Sequence, residues 1–173
     1  MAVKQFNLDA GQRAERKLLI TVAEWTENET QVREILGTRT PDSSIEYNAD
    51  IETSTDILGI NYTDLNKTQP QQSFDPYLIL GGSKLGAKLN DIRRRNALSE
   101  LNQFTMYIIT AFVGDSTNGY DTEKHTGCTI VYTSIGGEDN VNFPIEVYFS
   151  NNITTGKVDK LADDFAFTPD VNV

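Results

Sequence analysis

The ten residues from Phe104 to Val113 read FTMYIITAFV, β-branched and aromatic, and apolar at both alternate sets of positions. Successive side chains of a strand point to opposite faces, so a run that is apolar on both must be covered on both. This segment therefore predicts a central strand with packed layers on either side. A chain of 173 residues can supply those layers once, which predicts a single domain over 1–173. Its body is expected at 17–153, between an N-terminal arm at 1–16 and a C-terminal arm at 154–173.

The remaining signals are mostly those of strands. Leu18 to Trp25 alternates, the polar TENET follows, and Val32 to Thr38 is placed to return antiparallel. Ser44 to Phe74 reads as several extended pieces interrupted by Gly59 and by Gln69-Pro70. Thr129 to Ile135 and Phe143 to Phe149 flank Gly136-Gly137-Glu138-Asp139-Asn140, a hairpin signal. In the second arm Phe143, Ile145, Val147 and Phe149 share one face. The segment Gly114 to Gly127 is polar and reads as a long loop holding the only histidine, His125. One helix is expected at about 84–98: Leu85, Leu89 and Ile92 form a stripe, Ser83 suits the N-cap, and Gly81-Gly82 a turn ahead of it. The other face carries Lys84, Lys88, Arg93, Arg94 and Arg95, the last three favourable near the negative end of the helix dipole. The fold class that follows is mainly β: two packed antiparallel sheets, as a sandwich or barrel, with one flanking α-helix.

Composition narrows the function. A net charge of −10 disfavours gripping nucleic acid or an anionic membrane, though not letting DNA pass. No run of about 18 or more apolar residues is available to span a bilayer, and the N-terminus lacks signal-peptide character, which predicts a cytosolic product. The single cysteine, Cys128, allows no internal disulfide and no thiolate cage within one chain, and it reads as a buried structural thiol. His125 reads as a solvated loop residue, no G-x-S-x-G elbow is present, and neither glycine pair fits a phosphate-binding loop. No catalytic, cofactor or metal set emerges, so an enzyme is not expected.

The stretch SIEYNADIETSTDI places Glu46, Asn48, Asp50 and Glu52 on alternate positions between Ile45, Tyr47, Ala49 and Ile51. An EF-hand register fails, because the sixth and twelfth positions counted from Asn48 are Thr53 and Gly59. Periodicity favours a strand with the apolar set inward and the acids outward. Charge is segregated around it: residues 42–75 hold seven acids against Lys67, and residues 84–95 hold five bases against Asp91. A ring of identical chains can use such segregation.

The run ILGTRTPDSSIEYNADIETSTDILGINYTDLNKTQPQQSFDPY, followed by KLGAKLNDIRRRNALSEL, resembles the major tail tube proteins of long-tailed bacteriophages, from about Arg13 to Phe167. The resemblance rests on general sequence character, since that family has no catalytic signature. It implies hexameric rings stacked into a hollow tube, whose inner barrel is closed by strands from all six subunits. An extended loop and the terminal arms link successive rings. It further implies assembly in the host cytoplasm into the virion tail, tail-tip and tail-terminator partners, a tape-measure protein in the lumen, and DNA passing without specific binding. Tubes of contractile injection devices share this architecture and are the nearest alternative, and a β-sandwich ligand-binding module is a second. On this reading Glu46, Asn48, Asp50 and Glu52 face the channel, where acids repel DNA. Alternatively the same segment reaches the next ring, its acids meeting Arg93 to Arg95 or the Arg13–Lys17 cluster. Arg93, Arg94, Arg95, Arg13, Phe165 and Phe167 are the expected inter-subunit contacts.

Overall fold

A computed structural model describes residues 4–170. The predicted central strand is β7 (Phe104–Asp115), hydrogen-bonded to β1 (Leu19–Glu27) on one side and to β8 (Gly119–Tyr132) on the other, all antiparallel. β2 (Thr30–Ile35) returns along β1 as the sequence indicates. The strands β3 (Ile45–Glu46), β6 (Gln71–Phe74) and β9 (Ile145–Tyr148) form a second sheet with the end of β8. β8 thus belongs to both layers. The register against β7 slips where Phe104 pairs with Cys128 and Thr105 with Thr126, which leaves Gly127 over, at φ 78°. A glycine bulge in the left-handed region bends a strand and increases its twist. Here it separates the half of β8 flanked by β7 and β10 (Ile153–Val158) from the half that pairs with β9.

Two apolar clusters follow from the alternation of β7. Phe104, Met106 and Ile108 face inward with Ala23, Trp25, Ile130, Ile145 and Val147, between the sheets. The helix α1 (Lys84–Arg95) closes this core with Leu85, Leu89 and Ile92, all at 0% exposure, the stripe read from the sequence. Ser83 is the N-cap, its Oγ accepting from Gly86 N at 3.1 Å. The helix stops at Asn96, in the left-handed conformation, three residues short of the expected end, and a short 3-10 turn (Leu98–Asn102) leads into β7. The alternate face of β7, with Tyr107 and Ile109, packs with Val22, Val158 and Phe165 in the second cluster.

A contact across the fold fixes the start of α1. The Glu34 carboxylate accepts from the Tyr77 hydroxyl (3.1 Å), Ser83 Oγ (3.0 Å), Lys84 N (2.5 Å) and Leu85 N (2.9 Å). Lys84 N and Leu85 N are donors that a helix N-terminus leaves without partners, and the carboxylate also meets the positive end of the dipole. Burial, opposed by the Ser83 bond, pushes the Tyr77 phenol well above its ordinary pKa.

The sequence reading needs correction in three places. Gly114 to Gly127 is not a long loop: only residues 116–118 turn, the Asp115 carboxylate accepting from Thr117 N and Asn118 N at 2.7 Å. His125 consequently lies within β8 at 2% exposure, its Nδ1 2.9 Å from Ser150 O and its ring 5.2 Å from Phe149. A polar sequence concealed a paired strand because its hydroxyl and charged side chains leave the ladder intact. The described part of the C-terminal arm, 154–170, is ordered structure on its own chain: it opens with β10, continues to β11 (Phe167–Pro169), and packs Phe165 against the first sheet. The third correction concerns the acidic stretch.

A candidate assembly surface

The expected single strand through Glu46 and Glu52 is broken. Asn48 has φ 40°, and its Nδ2 donates to Gln69 O at 3.1 Å, ending β3 before β4 (Asp50–Thr55) begins. β4 pairs with β5 (Asn61–Lys67) in a two-stranded sheet that, among the described residues, joins no other strand. Every residue of both strands is exposed. Ile51, Tyr47 and Ala49 are therefore not inward, as alternation had suggested: Ile51 is opposite Leu65, and neither is covered by this chain. On the alternate face Glu52 lies opposite Asp64, a like-charge pair that weakens a ladder.

The hairpin turn is well built. Asp56 Oδ1 accepts from Leu58 N (2.8 Å) and Ile60 N (2.9 Å), and Oδ2 from the Tyr62 hydroxyl at 3.0 Å. These bonds, the backbone one from Ile60 foremost, hold its carboxyl below the ordinary range. The turn presents Ile57, fully exposed, Leu58 at 78% and Ile60 at 50%. An isolated two-stranded hairpin is marginal in water, and contiguous exposed apolar residues mark an interaction site. The tip went unread in the sequence, although DILGI already combined an Asx turn, a glycine and three aliphatics.

The proposed channel-facing residues divide accordingly. Glu46 sits on the outer face of the second sheet, in register with Gln71 and Tyr148; Ser73 and Glu146 form the next row. With Asp42 and Asp75, these two glutamates line one acidic pocket. Asp50 and Glu52 belong to the hairpin, and Asn48 to the joint between them. The β9 signal pointed to Phe143–Phe149 as a dry face, so Glu146 on its opposite face was legible yet unused.

The basic residues also differ from one another. Arg95 is spent within the chain, bonded to Asp91 Oδ2 (2.7 Å) and Glu100 Oε1 (2.8 Å). Arg93 donates only to Asn90 Oδ1 (2.9 Å), and both it and Arg94 are exposed. Arg13 is exposed on the N-terminal arm. That arm is held by Asn7 N to Phe112 O (3.0 Å) and Lys4 Nζ to Asp121 (3.0 Å), with Phe6 edge-on to Phe112 at 5.5 Å.

Phe165 and Phe167 face their own chain. Phe165 is 2% exposed and edge-on to Tyr107 at 4.9 Å, with Phe167 5.6 Å from the same ring. Arg33 stacks 4.3 Å over Phe165, donates to Phe165 O, and pairs with Glu24 Oε2 at 2.5 Å. The Tyr107 phenol, pushed up to about 12 chiefly by burial, points at the same Glu24 carboxylate. Phe165 is thus covered within its own chain. Among the described residues no group of three metal-ligating side chains is assembled, and no helix is long and apolar enough to cross a membrane.

No family model matches this sequence, and no curated protein matches it. Among solved structures, the chain is similar to one in the 6-fold symmetrised baseplate of the anti-feeding prophage. The identity is 10%, over 82% of this chain and 94% of that one, with a TM-score of 0.47. It is also similar to a chain of the PVC sheath-tube complex, an extracellular contractile injection system in its extended state: 12% identity over 86% and 95%, TM-score 0.46.

Proposed function

We propose that this protein is a structural subunit that polymerises as stacked hexameric rings into a phage tail tube, a conduit for genome release. The observation that carries the reading is the β4–β5 hairpin. It leaves the body, exposes an aliphatic tip, and finds no cover among the described residues of its own chain. Burying each aliphatic side chain of such a tip is worth about 1.5–3 kcal/mol, which another copy of the chain supplies. A projection on one surface that fits a different surface makes a heterologous contact, and repetition of such contacts generates rings and filaments. The number six, the tail-tip, terminator and tape-measure partners, and the tail location come from the sequence resemblance.

The channel is assigned to the outer face of the second sheet. Glu46 and Glu146 stand there among Gln71, Ser73, Thr129, Val131 and Tyr148, with no basic side chain in these rows. The outer face of the first sheet is already covered by the C-terminal arm. An acidic wall repels phosphate and offers DNA no sticky site.

Negative-stain microscopy of the concentrated protein, alone and with tail-tip components, tests the reading. Rings or hollow tubes are expected, and a strict monomer under every condition overturns it. The double variant Glu46→Lys with Glu146→Lys should still form tubes but stall DNA during release. Release at the wild-type rate removes the channel assignment.

A further inference from the structure

Resting on the assembly reading, we infer that the hairpin tip of one copy docks in the groove between β1, β2 and β6 of a second copy. This groove measures ≈ 460 Å³ and opens where the two sheets meet, walled by Ile20, Ile35, Leu36 and Phe74 and rimmed by Arg16 and Lys17. The hairpin carries four carboxylates, Asp50, Glu52, Asp56 and Asp64, against Lys67 alone. Its tip is aliphatic, so tip and groove match in both character and charge.

The charge at the groove is free to act. Arg16 donates to Leu19 O (2.5 Å) and Ser43 O (2.6 Å), carbonyls that orient the guanidinium without neutralising it. Arg39, exposed, stands between the lining residues Thr38 and Thr40. Lys17 pairs with Glu15 at 2.7 Å, but both are well exposed, and such pairs hold little energy. Asp42 lines the neighbouring acidic pocket instead.

Other grooves repel the same tip. The one beside α1 has Glu27, Asp91, Asp163 and Asp164 in its wall, and its cations are engaged: Lys84 with Asp163, Lys88 with Glu100, Arg33 with Glu24. The pocket beside Glu46 is lined by four carboxylates and no base. Of the sequence-level alternatives for the hairpin's acids, the Arg13–Lys17 cluster is therefore favoured over Arg93 to Arg95.

Cysteine pairing reads this directly. Native Cys128 is 1% exposed, and its thiol is pushed up by burial, so it stays silent. Chains carrying Leu58→Cys are mixed with chains carrying Thr38→Cys, assembled, and oxidised by copper-phenanthroline in air; a Leu58→Cys with Lys88→Cys mixture serves as the comparison. Disulfide-linked dimers are expected in the first mixture and at least about tenfold fewer in the second. Tubes or rings that form while the first mixture fails to cross-link, or cross-links no better than the second, overturn the docking site and leave assembly standing. Absence of any assembly overturns both. In a second measurement, Lys17→Glu with Arg39→Glu raises the concentration needed for assembly about tenfold. Adding Glu52→Lys with Asp64→Lys restores it. Equal loss in the swapped pair overturns the inference.

Discussion

The C-terminal arm and the β4–β5 hairpin are both acidic segments dotted with isolated apolar residues, and they meet opposite fates. In the arm, Phe165 reaches 2% exposure because the outer face of β7 offers Tyr107 and the face of β1 offers Val22. In the hairpin, Ile57 and Leu58 remain in solvent because their strands leave the body beyond Asn48. Composition does not decide which apolar residue becomes core and which stays in solvent; the surface it can reach does.

Disabling the hairpin should give the largest effect. Replacing Ile57, Leu58 and Ile60 together with serine should abolish assembly in sedimentation while shifting monomer stability by less than about 0.5 kcal/mol. A matching loss of thermal stability would mean that the tip packs on its own chain. Phe165→Ala tests the converse region. It should cost about 3–5 kcal/mol locally, read as faster hydrogen exchange in residues 159–169. If assembly falls while exchange is unchanged, the arm is an interface after all.

Glu34→Ala sharpens the contrast from within the core. It leaves Lys84 N and Leu85 N, at the start of α1, without their acceptor and should destabilise the monomer by about 1–3 kcal/mol in urea unfolding, leaving assembly of the folded fraction intact. The smallest effect concerns acid. Bonds from Arg95 and then Lys88 hold the Glu100 pKa at about 2, against an ordinary 4.5. A carboxyl lowered in the folded state gives stability that is present above 4.5 and fades as the pH falls towards 2. Because solvent still reaches and screens this half-buried group, a shallow slope is expected in that window, absent in Glu100→Gln.

What was legible in the sequence was local or doubly constrained. FTMYIITAFV admits no exposed face, and the Leu85, Leu89, Ile92 stripe with Ser83 as its cap specifies a helix without outside help. What was hidden depends on partners distant in sequence. Glu34 caps a helix about fifty residues away, and nothing near it announces that role. The stretch through Glu46 and Glu52 misled because alternation persists across Asn48, while one positive φ divides it between a sheet face and a projecting arm. His125 was hidden by polar neighbours that make a strand read as a loop.

β8 has a mechanical consequence. Because one continuous strand serves both sheets, bending at Gly127, the layers cannot slide past each other without tearing its ladders on both sides of the bulge. Force applied to the acidic face passes along covalent backbone into the sheet beneath the C-terminal arm. A wall built from such units resists shear as a shell does, and deforms at the joints between copies before it yields within one.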